Sequence, residues 1–579
     1  MISMGSLSKS PNAVLDFPID WMAYLKPGEK VVSAACAVTD ASLVIGAGAY
    51  APTIDADGKG VVVWLMAGNP GASYVVTCTV TTDNVPPRIE ARKFDVIVEA
   101  LPTGTAQIQI IPPEYSVFAF GARGDGITDD TVPISQAIAA ANANPGSVYL
   151  GADHLVTSAL TPITGHNVVI RGRGYWAQGS RLKCQGASGT NWLQFQGCIA
   201  SGIEDVFFEG QLVMTSGFGL TFRKNGSSPT FGCWASRVWF DRMGDAINLQ
   251  SASDTMVEQY KIRSPFGSRG VLLNSDGVTS GNQTTIRIGR CDAPYQFGYP
   301  SVAAGLGVKD WATGEAITSG FIRKANGKIW QASVGGTTSG AGSGPSALPS
   351  TDTVQARLLD VSDNDVRWRY VSDADLDWIR YESMGGDLTI DDVATINGNR
   401  GLVTVNTGGG APSIVETHDL RVDHPYSYGV LLNDGFDVGI QGWFSSCMAG
   451  QNILVAAGFS YDWRIHDSRI FGCALDGILL NKGNGKLSNC NISQNGQNFA
   501  VSSDGVQVAA GVTNFDIIGN TSGDDGSGGG ACPHRYGINV NAGASDHYVI
   551  RGNRVRGNVT AGVNDGGAGA NKDVGGNPV

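Results

Sequence analysis

The sequence predicts an all-β protein: a parallel β-solenoid capped by one short helix, preceded by a β-sandwich and interrupted by a small β-rich insertion. Three observations predict it. Residues 435–459 align without gaps onto 460–484, a 25-residue period, and one coil of that length can bury its apolar face only against stacked neighbours. Glycine fills 80 of 579 positions, about twice the ordinary share, so the chain turns often, while only 23 prolines exclude collagen and Pro/Gly disorder. Short β-type runs separated by turns fill the first hundred residues.

Composition narrows the function. Charged residues are 16% and the net charge is −12, with no Lys/Arg cluster, which excludes a general nucleic-acid binder. The polar surface must then be mostly Asn, Ser, Thr, Gln and Gly, which suits sugars. No run approaches the ~20 apolar residues of a membrane span, so no membrane insertion is expected. The N-terminus lacks the basic-then-apolar order of a signal peptide, so synthesis in a cytosol is expected. Cysteines at 36, 78, 184, 198, 233, 291, 447, 473, 490 and 532 lack CxxC pairs and zinc spacing, and seven histidines are dispersed. They read as buried thiols and structural imidazoles, with no metal and no cofactor expected.

In chain order, residues 1–10 read as a flexible N-terminus and 11–101 as a β-sandwich, from VVSAACAVT, SLVIGAGAY, GKGVVVWLMAG, SYVVTCTVTT and RKFDVIVEAL. The order VVVWLMAGNPGASYVVTCTVTTDN then RKFDVIVEAL resembles the small immunoglobulin-like adaptor domains near the N-termini of phage tail proteins, which implies virion attachment. Residues 102–116, with three prolines up to Tyr115, read as a linker. Residues 117–165 open and cap the solenoid. Gly121, Gly124 and Gly126 permit tight turns, Asp129 or Asp130 can cap the next helix, and Ile134, Ala137, Ile138 and Ala141 form its apolar stripe. This FGARGDGITDD segment resembles the opening of the pectate-lyase-like right-handed parallel β-helix superfamily, as in phage tailspikes.

The solenoid is expected over 166–298 and 386–579, with Ile247, Val271, Val430, Ile453, Ile478, Val506 and Ile538 in one interior ladder. Between 299 and 385 the repeat vanishes, and NGKIWQA with VRWRYV resembles a small insertion common in phage fibres, possible as a carbohydrate binder. There Trp311, Trp330, Trp368 and Tyr370 either stack on sugars or form the mini-core of a domain too small to have another. The C-terminal part reads as last coils, so any trimer contacts are expected from the solenoid.

Hydrolysis of a polysaccharide needs two carboxyl groups about 5–10 Å apart, a spacing available within one coil or across one or two coils. Elimination needs a base beside a cation that neutralises a uronate. Aligned on the interior ladder, Asp245, Arg269, Tyr428, Gln451, Asp476, Asp504 and Tyr536 share one column. The candidate catalytic acids are Asp241 with Asp245, and Asp467 with Asp476. Arg269, Tyr428, Gln451, His466, Trp311 and Trp330 are the candidate substrate binders; Glu258, Glu416, Asp423 and His424 compete. Asp524 and Asp525 resemble the GDD element of polygalacturonases, but no NTD, GHG or RxK companion is in register, so that assignment is rejected.

Over nearly the whole chain the modules resemble a phage or prophage tailspike. The resemblance implies a homotrimer in the virion tail, held to a tail or baseplate protein by its first domain. It implies binding and depolymerisation of a bacterial surface polysaccharide (capsule, exopolysaccharide or O-antigen), with glycoside hydrolysis favoured. The alternatives are a non-catalytic receptor-binding spike and a polysaccharide lyase.

Overall fold

Alternation of inward and outward side chains organises both units of the protein, seen here in a computed structural model. The structure describes residues 3–9, 15–98, 113–174, 179–276, 282–293, 309–346, 361–382, 386–407, 413–497, 502–524 and 532–579. Contacts divide the chain into Met1–Ile111 and Pro112–Val579. Among the described residues no helix is long and apolar enough to cross a membrane.

The first unit is a sandwich. One sheet runs Ser3–Lys9, Ile89–Val98, Ser73–Thr82, Val31–Val38; the other runs Leu15–Asp20, Gly60–Ala67, Leu43–Ile45, with Thr53–Ile54 beside Gly60–Ala67. Val61, Val63, Leu65, Val76, Cys78, Val80, Phe94 and Val96 point inward at every second position and are buried, the period of a half-buried strand. Within the segment expected as a flexible start, Ser3–Lys9 forms a strand paired in parallel with Ile89–Val98. Most of the expected linker, 99–112, lies outside the described residues. Its end does not: Glu114–Ser116 is already the first solenoid strand, paired with Ser147–Tyr149.

The second unit is a parallel β-helix with three faces per coil. A 24-stranded sheet bends along a line of residues at positive φ and so forms faces 1 and 2; a 12-stranded sheet forms face 3. Asp205, Arg237, Gln259, Ile288, Asp392, Asp419, Asp467 and Asn489 occupy that bend. One left-handed residue turns the chain without breaking the ladder, and Asp and Asn tolerate it best among non-glycines. Face 3 carries the interior ladder read from the sequence: Ile247 pairs with Val271, and Val430, Ile453, Ile478, Val506 and Ile538 pair in turn, all fully buried.

The helix Thr131–Ala143 buries Ile134, Ala137, Ile138 and Ala141 over the first coils. Asp129 accepts from the Thr131 N–H at 3.0 Å, whereas Asp130 turns away from the helix to accept from the N–H groups of Arg123 and Gly124 and to meet buried His154 at 2.7 Å. Asp125 accepts from the Ile127 and Thr128 N–H groups, bonds that hold its carboxyl down at about 2. The acids of GDGxxDD therefore brace the cap.

The insertion is a five-stranded sheet ordered Lys309–Asp310, Ile322–Ala325, Lys328–Val334, Val366–Asp373, Val361–Asp363. Its described part ends earlier than 385: Asp377–Glu382 is a face 3 strand paired with Arg269–Asn274 and Arg400–Val405. Phe266, from the solenoid corner, enters the insertion core against Tyr370, whose hydroxyl donates to the Phe266 carbonyl at 2.8 Å.

Candidate functional site

Strand parity decides which candidate acids face outward. A residue two positions before an inward aliphatic lies on the same side of the strand as that aliphatic. The column of Asp245, Gln451, Asp476 and Asp504 is accordingly buried at the start of the face 3 strands. Each aspartate there accepts a backbone N–H from the next coil: Asp245 from Arg269 at 2.9 Å, Asp476 from Asp504 at 2.6 Å, Asp504 from Tyr536 at 3.2 Å. Asp504 also takes a bidentate pair from Arg535 and a bond from Asn539. Burial raises the Asp476 carboxyl to about 6, with the Asp504 charge adding to the rise and the Asp504 N–H opposing it. The insertion hid two further members, Asp377 and Arg400, which pair between Arg269 and Tyr428.

The two expected acid pairs are therefore not assembled on one surface. Asp241 ends a face 2 strand and points outward, while Asp245 begins a face 3 strand and points in. Asp467 sits exposed on the bend, bonded to His466 at 3.0 Å, whereas Asp476 is buried at another corner. Among the binders, Gln451 is buried and Arg269 lines a charged cleft of about 380 Å³ with Asp375, Asp377, Arg380 and Arg400. Tyr428 is half-buried beside them in register. Trp330 is fully buried with its N–H on the Ala325 carbonyl, so it offers no face to a sugar and is core. Trp311 is partly buried and donates to Asp363 at 2.6 Å. Glu258 and Glu416 are held on face 1 by Arg287 and Arg464.

What the fold does assemble is the outward side of face 2. One row reads Glu209, Asp241, Arg263, Asp292, Ile396, Asp423, Ser445, Phe471 on successive coils. The row beside it reads Phe207, Trp239, Lys261, Arg290, Ala394, Arg421, Trp443, Arg469. Coils are ~4.8 Å apart, so Asp292 and Asp423, two coils apart, are separated by about 10 Å along the row, as are Asp241 and Asp292. Their environments push Asp292 and Asp423 in opposite directions. Burial raises the Asp292 carboxyl against the pull of Arg263 and Lys261. For Asp423 burial also acts upward, but hydrogen bonds from His424 at 2.8 Å and Ser445 at 2.5 Å outweigh it, and the carboxyl lies below its ordinary value.

A cleft of about 340 Å³ opens on this face, lined by Ile396, Arg421, Asp423, Trp443, Ser445 and Phe471 among others. Trp443 is 44% exposed, and the Arg469 guanidinium lies 5.9 Å from its ring centroid and 4.8 Å from that of Phe471. Asp423 is among the competitors read from the sequence; Asp292 and Glu209 lie on face 2, outside the column that the face 3 ladder aligns. The alternation FDRMG, IRSPF, CDAP, VDHP and SSCM after each inward aromatic or aliphatic carries the second column.

Comparisons with known proteins add to this geometry. Residues 9–96 match the family model described as Podophage GP4 fiber-tail adaptor protein gp77. The adaptor-like segment thus coincides with the described sandwich. No curated protein sequence matches the chain. Among solved structures, the Dettilon tailspike protein (gp208) is similar at 14% identity and a TM-score of 0.41, covering 78% of this chain and 68% of that one. The tailspike of E. coli bacteriophage HK620, in complex with a pentasaccharide, is similar at 8% identity and a TM-score of 0.38, over 78% and 67%. The family 28 exopolygalacturonase of Yersinia enterocolitica is similar at 8% identity and a TM-score of 0.30, over 99% and 100%.

Proposed function

We propose that the protein is a phage tailspike that binds a bacterial surface polysaccharide along face 2 and hydrolyses it there. Asp292 acts as general acid and Asp423 as the base that activates water. The observation that carries this reading is the outward row itself: two acids about 10 Å apart, near the 6.5–9.5 Å of inverting glycosidases, beside a cleft with an exposed tryptophan. The opposite displacements of the two carboxyls suit an acid and a base working at one pH. Asp241, two coils from Asp292 on the other side, is the reserve partner. The match of residues 9–96 supports attachment to a phage tail through the sandwich and hence a virion location. Self-association as a homotrimer is supported by outward Leu431, Leu454 and Leu479, a half-buried apolar row on successive face 3 strands.

The test is incubation with a panel of purified capsules and lipopolysaccharides, following new reducing ends and absorbance at 235 nm. Reducing ends without absorbance are expected. Asp292→Asn and Asp423→Asn should each lower the rate on the order of 10²–10⁴-fold, with binding retained. Full activity in both variants would sink the assignment, absorbance at 235 nm would establish elimination, and binding without either signal would leave a receptor-binding spike.

A further inference from the structure

Face 2 carries a row of positive charge beside the acid row. The chain is acidic overall, at −12, yet the row from Trp239 to Arg469 holds Lys261, Arg290, Arg421 and Arg469 with two tryptophans and no acid over seven successive coils. Some of these cations have partners: Arg290 bonds Asp392 at 3.1 Å, Arg421 bonds Asp419 at 2.5 Å, and Arg469 lies over Trp443 and Phe471. Lys261 and Arg263 differ. They stand two residues apart on one strand, both outward; among the described residues neither forms a close ion pair with a carboxylate, and both act on Asp292 from longer range. Lys261 sits 4.9 Å from the Trp239 ring centroid, and Arg263 separates Asp241 from Asp292 in the acid row. Lys261 is also directly opposite Arg290 on the next coil, a like-charge pair that destabilises a sheet.

A ligand with negative charge would resolve this arrangement. The guanidinium fork receives a carboxylate or phosphate through two parallel bonds, the ammonium adds a mobile point charge, and Trp239 supplies a flat apolar wall. We propose that Lys261 and Arg263 bind an anionic substituent of the polysaccharide, so that the substrate is an acidic glycan whose charged residue sits over this coil. This rests on the reading of face 2 as the glycan-binding surface, and adds to it the charge class of the substrate. The anion is a carboxylate, as in a uronic acid or pyruvate ketal, or a backbone phosphodiester; the chemistry at the site is shared.

The test uses the full-length protein carrying Asp292→Asn, so that ligands persist, against the panel of purified capsules and lipopolysaccharides. Each is offered native, carboxyl-reduced by carbodiimide and borohydride, and dephosphorylated with hydrofluoric acid. The bound glycan is expected to be acidic, to lose at least tenfold in affinity on one of the two treatments, and to weaken steeply between 50 and 300 mM salt. Lys261→Gln and Arg263→Gln should each cost ten- to a hundredfold in affinity for the native glycan. Lys261→Gln should leave the unfolding midpoint unchanged or raised, since it relieves the repulsion from Arg290; a midpoint that falls in this variant would assign Lys261 a structural role and overturn the proposal. Binding of a neutral glycan, or binding indifferent to both treatments and both substitutions, overturns it while leaving the face 2 reading intact. Binding of no glycan at all overturns both.

Discussion

Replacing Asp476 by Asn should stabilise the protein at neutral pH and leave it unaltered near pH 4. The carboxyl is buried beside the Asp504 charge and titrates at about 6, against about 3.9 for an unfolded aspartate. Because the folded value is the higher one, the native state holds the proton across the window between them, and stability falls as pH rises from about 4 to about 6. A difference of about 2 pH units corresponds to a loss of about 3 kcal/mol that is complete by pH 7. Asparagine keeps an oxygen for the Asp504 N–H at 2.6 Å and removes the charge facing Asp504. Urea unfolding of wild type and variant at pH 4 and pH 7, by tryptophan fluorescence, measures both terms. A variant less stable than wild type at pH 7 would refute the account. Reducing-end release should persist in the variant; its loss with stability unchanged would return Asp476 to catalysis.

Three other perturbations follow from the same geometry. Buried Asn553 accepts from the Asn520 backbone N–H at 2.9 Å and donates to the Ile517 carbonyl at 2.8 Å, so Asn553→Ala orphans two buried groups and should cost about 2–5 kcal/mol. Amide exchange over residues 515–524 and 532–579 should accelerate at least thirtyfold; a change below threefold would count against this bracing role of Asn553. Ile288 is a β-branched residue at φ 52 and 40% exposed, where neighbouring coils place Asp392 and Asp419, so Ile288→Asn should stabilise by about 1 kcal/mol in urea unfolding. A loss of stability would show that its side chain packs more than it strains. Trp443→Ala should weaken glycan binding by about 1–2 kcal/mol in calorimetry with the unfolding midpoint unchanged, and equal affinity would remove the cleft from the binding surface.

The solenoid was legible because the coils repeat the same inward positions: Ile453 and Ile478 sit in register where the 25-residue alignment puts them, and Val506 follows in the same ladder. The helix cap was legible from its apolar stripe, and the cysteines as thiols, with all ten free. The candidate site was harder to read for two physical reasons. Parity turns the polar column inward: Asp476 and Asp504 lie two residues before Ile478 and Val506, on the inward side, where they bond backbone rather than solvent. The second reason is register across the insertion. Asp292 and Ile396 are 104 positions apart yet directly paired, and no local spacing announces that.

That pairing also bears on why an insertion stands where it does. The strand Asn282–Asp292 closes face 2 of its coil, and the chain next joins the solenoid at Asp377–Glu382 on face 3. In the coil ending at Asp241 the same corner takes only residues 242–244, before the face 3 strand begins at Asp245. The corner beside Asp292 has therefore been opened to admit a small domain, with Phe266 of the preceding corner built into its core. A solenoid tolerates such growth only at corners, because an extra residue inside a strand would shift every inward side chain to the outside. A corner bordering the outward acids is also where added loops can shape a substrate without disturbing the coils, the usual division between a rigid scaffold and the segments that read a ligand. Placement of the insertion and placement of the proposed acids are thus two consequences of one register.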